Sequence, residues 1–166
     1  MPSDLRGHVE APRCLTDDLH LIDDRESLLR VIQPVFVNFA VSPPKAQSNG
    51  FQDQPEEEAA RWSLARPCAS VAVRSIWEGY GSDLDAILGH FPAGSGLVAL
   101  SAGDLRTLVT PGGQKQPQGV ILDPRPGSPW HAVIWDRTAS RRPKSAMKAM
   151  AVLAEAAGWF ILPRKV

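Results

Sequence analysis

Cysteine is scarce. Cys14 and Cys68 are the only two in 166 residues, far apart and in no CxxC or Cys/His spacing. That excludes a disulfide-stapled secreted scaffold and a zinc framework, and it points to a reducing cytoplasm. Net charge is missing too, with 18 Lys and Arg against 18 Asp and Glu. No global field draws the chain to nucleic acid or to an anionic membrane, so any anion site has to be local. No apolar run approaches the length of a membrane span, and Met1 is followed by Pro2, Ser3, Asp4 and Arg6 rather than by an apolar segment. Neither insertion nor secretion is expected, and no membrane partner. The chain also lacks GxGxxG after a strand, a P-loop, a GxSxG elbow, HExxH and an EF-hand loop. The common nucleotide, hydrolase and metal templates therefore lack their geometric requirements, and neither a cofactor nor a metal is expected. Gly94-Ser95-Gly96 and Pro111-Gly112-Gly113 are too short to cradle a phosphate and read as turns.

What is plentiful is proline, 15 residues that cut the chain into short pieces. Residues 1–24 are polar, with Asp17, Asp18, Asp23 and Asp24 and no strong apolar period, and read as an extended or flexible arm. Residues 25–166 are long enough to build one domain with a real core. Leu28 to Ile32 and Val35 to Phe39 are β-branched and aromatic runs broken by Pro34, so two short strands are expected, followed by a loop from Ser42 to Gln54 with Phe51 as its anchor. Pro55-Glu56-Glu57-Glu58 has the form of a helix first turn, with Trp62 and Leu64 facing the core. Cys68 to Val73 reads as a buried strand and Asp83 to His90 as a helix. Gly96 to Leu100 reads as a strand, with Ser101 capping a brief helix after it. Gly119 to Leu122 and Trp130 to Trp135 are two further strands, suited to an antiparallel pair across the turn-rich Asp123 to Pro129.

The last helix is the best specified. Pro143 sits in its first turn, Ala146, Met147, Met150, Leu153, Ala154 and Ala157 share a face, and Gly158 is placed to end it before the strand Phe160-Ile161-Leu162. Strands and helices in this irregular order predict an α+β fold, a single compact domain with a mostly antiparallel sheet and the C-terminal amphipathic helix packed on one face.

Two chemistries are suggested. His131 opens a strand after a turn-rich loop, with Asp123 and Asp136 near it in sequence. Imidazole is the side chain suited to accept and return a proton near neutrality, and either carboxylate is a candidate to orient it. The plainer alternative has the ring capping the strand edge through a backbone carbonyl. His8, His20 and His90 are weaker candidates, two in the arm and one at a helix end. Arg137, Arg141, Arg142, Lys144 and Lys148 crowd the start of the last helix, where positive charge opposes the macrodipole. That arrangement gains purpose if an anion rests on Arg137, Ser140, Arg141, Arg142 and Lys144, with Thr138 adding a hydroxyl, and otherwise is a solvated face balanced by Glu155 or by the acidic arm.

Ser48-Asn49-Gly50-Phe51-Gln52-Asp53, Ser70-Val71, Gly119 to Pro124 and Pro129 to Ile134 resemble a family of small uncharacterised bacterial proteins. Its members carry a polar-Phe-x-Asp segment, a Ser-Val strand and a late His-Ala-x-Ile strand. The likeness covers roughly Arg30 to Asp136. Asn49-Gly50 stands where the family has a small dipeptide, and Pro55 to Arg66 has the look of an insertion. It implies a compact bacterial domain and brings no activity. Two functions are therefore expected from the residues. The first is a non-catalytic cytoplasmic accessory protein whose basic helix start docks an acidic or phosphate-bearing protein partner encoded in the same operon. The second is a small phosphodiester- or nucleotide-directed enzyme with His131 as acid/base, Asp123 or Asp136 as its orienter and the arginines stabilising charge.

Overall fold

The protein is described here by a computed structural model covering residues 21–61, 64 and 66–166. Among the described residues eight strands form in chain order: β1 (Ser27–Ile32), β2 (Val37–Asn38), β3 (Lys45–Ala46), β4 (Ala69–Val73), β5 (Gly96–Ser101), β6 (Gln118–Leu122), β7 (His131–Asp136) and β8 (Trp159–Ile161). Among the same residues five α-helices join them: α1 (Glu56–Arg61), α2 (Arg74–Gly79), α3 (Leu84–Leu88), α4 (Ala102–Arg106) and α5 (Lys144–Ala157). Six strands make one antiparallel sheet in the order β6-β7-β4-β1-β5-β8, and β2 pairs with β3 as a separate small hairpin. The fold is α+β, with α5 against one face of the sheet.

Alternation along the strands explains the layers. In β1, Leu28 and Ile32 join the core under α5 and α4, while Leu29 joins the core under α2 and α3. A strand buried on both faces carries apolar residues at both parities, which is why Ser27 to Ile32 shows no clean polar-apolar rhythm. In β7, Ala132 and Ile134 face α5, whereas Val133 and Trp135 pack with Ala59 of α1, Leu64 and Cys68. The small side chains Ala146, Ala149 and Ala154 with Met150 let α5 lie close on the sheet.

Gly119 is dictated by this packing. It pairs with Trp135, and an added Cβ would overlap the indole ring that lies across it. Gly119→Ala is expected to lose about 1–3 kcal/mol through overpacking, read as a lower urea midpoint with a shifted tryptophan emission. An unchanged midpoint would contradict the close approach.

Three local expectations change. Pro34–Phe36 is a 3-10 turn rather than strand, because the pyrrolidine ring fixes a helical φ and only Val37-Asn38 remain extended. Arg74–Gly79 is a helix that periodicity did not reveal, being one and a half turns long and without a capping side chain. Residues 21–24, read as the end of an arm, pack on the domain. Ile22 is fully buried, and Asp24 pairs with Arg106 at 2.9 Å. Residues 1–20, with His8, His20 and Cys14, lie outside the described residues, as does Trp62. No described helix is long and apolar enough to cross a membrane.

Candidate functional site

The β6-β7 connection builds the site. Antiparallel pairing continues one residue past β6, where the Asp123 N–H donates to the His131 carbonyl at 2.8 Å and sets the two residues opposite each other. The intervening chain is folded back on itself. Arg125 and Ser128 exchange backbone hydrogen bonds, Gly127 supplies the positive φ of 78° that the turn needs, and the His131 N–H donates to the Ser128 carbonyl at 3.0 Å. Ring and carboxylate therefore stand on one rigid corner.

His131 Nδ1 lies 3.0 Å from the Asp123 main-chain oxygen and 3.3 Å from its Oδ2. Both neighbours are oxygen acceptors, so Nδ1 carries a proton and Nε2 is the nitrogen left to exchange one. Arg125 Nε donates to the same Asp123 Oδ2 at 3.0 Å and holds the carboxylate in place. Nε2 is buried and has no hydrogen-bond partner among the described residues. Buried polar atoms left this way are uncommon and call for an explanation.

Nε2 belongs to a residue lining a cleft of about 420 Å³ on the sheet face opposite α5. Leu29, Ser70, Ala72 and His131 of the sheet line it, together with residues of α1, of α3 and the chain after it, and of the β6-β7 connection. Ala72 is the cross-strand partner of His131, and its small side chain leaves room above the sheet. Ser70 is a diagonal neighbour on the same face, but no hydrogen bond joins it to Nε2, so no nucleophile-base pair is set. Cys68 is no alternative nucleophile, since burial and the neighbouring Asp53 push its thiol up to about 12. A hollow of about 470 Å³ between α4 and α5 is mostly apolar, with Asp104 its one ionisable side chain. Among the described residues no cluster of His, Cys, Asp and Glu could hold a metal ion.

Of the expected catalytic residues, His131 and Asp123 come together and Asp136 does not. Asp136 is at the far end of β7, roughly 16 Å away at strand rise, and five residues on it points to the other face. It is fully buried and holds the chain leaving β7: its carboxylate accepts from Gln116 Nε2 and Gln118 Nε2 at 2.9 Å, from the Thr138 N–H at 3.0 Å and from the Ala139 N–H at 2.7 Å. Burial pushes its pKa up, but these hydrogen bonds outweigh it and hold the carboxyl below its ordinary value. The resulting stabilisation is complete above the unfolded-state pKa, about 3.9, and disappears as pH falls through the lower folded value. Asp136→Asn is expected to cost about 2 kcal/mol at pH 7 and to flatten the acid limb of stability. Urea midpoints at pH 7 and pH 3 that fall in parallel for both proteins would refute this.

The basic cluster also divides. Arg142 is buried and occupied within the molecule: its guanidinium pairs with Asp53 at 2.5 Å and donates to Gln118 Oε1 at 2.7 Å and to the carbonyls of Ile134 and Phe51 at 3.0 and 3.1 Å. It is a structural residue, not a ligand for an outside anion. Arg137, Ser140, Arg141 and Lys144 are exposed, Lys144 reaching Asn49 Oδ1 at 3.4 Å. None of them lines the His131 cleft, so the expectation that these arginines stabilise charge for His131 is overturned. Arg61 and Arg125 stand there instead, and His90, set aside at its helix end, is on the rim. The sequence offered one clue, Arg125 two residues after Asp123 in the same turn. Compared with protein-family models, with curated proteins and with solved structures, the chain matches none.

Proposed function

We propose that the chain is a small enzyme acting on a phosphate-bearing substrate, with His131 as its acid/base. The observation that carries this reading is that His131 lines a cleft with its Nδ1 held by Asp123 and its Nε2 left without a hydrogen-bond partner among the described residues. Cations outnumber anions in its lining, with Arg30, Arg61 and Arg125 against Glu58, which suits a negatively charged ligand. In a phosphodiester transfer, Nε2 takes the proton of the attacking hydroxyl or water as the new P–O bond forms, and then gives a proton to the departing oxygen as the old one breaks. The imidazolium formed midway is stabilised by Asp123, and Arg61 and Arg125 line the same cleft as charge develops on the phosphorus-bound oxygens.

The test is hydrolysis of bis(p-nitrophenyl) phosphate and of a 2′,3′-cyclic nucleotide by the purified chain. Turnover above the buffer blank, competitively inhibited by inorganic phosphate, is the expected result. Absence of both turnover and phosphate binding would remove the reading. The docking of an acidic partner on the start of α5 ranks second. It retains exposed Arg137, Ser140, Arg141 and Lys144 but loses Arg142, whose donors are engaged inside the fold.

A further inference from the structure

We infer that the apolar hollow between α4 and α5 is an interaction surface for residues 15–19 of the same chain, the stretch that precedes its point of entry into the domain. The hollow offers exposed apolar surface. In its lining Val109 and Val152 are 51% and 60% exposed, Pro111 is exposed and Leu153 is half-buried, while Leu108 and Ala149 are buried. Apolar side chains grouped in this way gain by being covered.

The place where the chain enters selects the occupant. Leu21 is 66% exposed, and the next residue, Ile22, is fully buried in the same apolar cluster as Leu108 and Ala149. Two contacts with α4 fix that entry: the Ile22 carbonyl accepts from Arg106 Nη2 at 2.6 Å and the Asp24 carbonyl from the Gly103 N–H at 2.8 Å. Thr107 and Leu108, the residues after Arg106, line the hollow. Leu19 stands two positions before Leu21 and Leu15 six, separations that an extended chain turns into about 7 and 20 Å. Both are long enough to pass from Arg106 to the hollow beside it. The charges agree as well. Lys148 is exposed one helical turn before Val152 on α5, a cation for Asp17 and Asp18 between the two leucines, while the acidic group in the lining, Asp104, belongs to α4. A second copy is the poorer occupant, since eight residues line the hollow against about 20–30 a side in a stable protein–protein interface. A tethered segment needs far less, because its attachment holds it at an effective concentration in the millimolar range.

A nitroxide spin label on Cys14 of the full chain tests this by nuclear magnetic resonance. Cys68 does not compete for the label, being fully buried with its thiol pushed up to about 12 by burial and Asp53. In isotope-labelled protein the Val109, Val152 and Leu153 signals are expected to lose most of their intensity, while those of exposed Tyr80 and Phe91, outside the hollow, keep theirs. Spin-labelled protein without isotopes, mixed with isotope-labelled protein without the spin label, is expected to attenuate nothing. Leu15→Asp with Leu19→Asp is expected to restore the three signals. Attenuation seen only in the mixed sample would give the hollow to a second copy and overturn the inference. So would attenuation that is uniform over the surface, absent from the hollow, or unmoved by the double substitution.

Discussion

Replacing His131 with glutamine is expected to lower phosphodiester turnover by about 10²–10⁴-fold while changing the urea midpoint little. Glutamine keeps a polar group near Asp123 but cannot carry a proton from one oxygen to another. Nε2 makes no hydrogen bond within the described molecule, so its loss breaks none, and the stability and activity effects separate. Asp123→Asn is expected to cost less. The Asp123 main-chain oxygen, 3.0 Å from Nδ1, survives that substitution and still selects the tautomer with Nε2 free to act as base. What is lost is the charge that stabilises the imidazolium and the clasp from Arg125 at 3.0 Å. Equal turnover for His131→Gln and the parent protein would end the catalytic reading.

Arg142→Met is expected to be the most damaging single change to the fold, about 3–5 kcal/mol. Typical domains have only about 5–15 kcal/mol in total, so a large share of the chain is expected to unfold near physiological temperature. The cost comes less from the lost attraction than from what remains. Asp53, with 3% of its side chain exposed, keeps a charge with its cation gone, and Gln118 Oε1 and the Phe51 and Ile134 carbonyls each lose a donor. A second substitution, Asp53→Leu, should recover part of the loss, because replacing both members removes the unpaired charge. Lys144→Ala, two positions along, is expected to fall within about 0.5 kcal/mol, as exposed side chains usually do. Thermal unfolding monitored by circular dichroism ranks the three. Arg142→Met behaving like Lys144→Ala would show that the buried pair holds nothing together.

The Arg142 cluster also gives a physical account of Phe51-Gln52-Asp53. Phe51 is fully buried, its carbonyl and the Asp53 carboxylate both accept from Arg142, and the Gly50 carbonyl accepts from Arg30 Nε at 3.1 Å. Burial and the nearby Arg142 charge push the Arg30 pKa down to about 10, against the pull of Asp53. This stretch is a clasp between a loop, the sheet and the start of α5.

The elements that were legible in the chain are those whose cause is local. The apolar face of α5 with Gly158 after it, the Ser101 hydroxyl accepting from the Asp104 N–H at 3.0 Å, and the β6-β7 pair across a turn-rich connection each depend on neighbours within a few residues. So did the candidacy of His131 and Asp123, eight positions apart on the two arms of one hairpin. Strand parity and partner choice lie beyond such signals. Asp123 and Asp136 were equivalent along the sequence, and only the alternation of β7 sends one side to the cleft and the other to the opposite face. Arg142 was indistinguishable from the exposed Arg141 beside it until the fold brought Asp53, 89 residues earlier, against its guanidinium. Local chemistry determined which elements form; long-range packing decided which charges are buried, which are paired and which face a ligand, because burial is a property of the assembled sheet and not of any residue's neighbours in the chain.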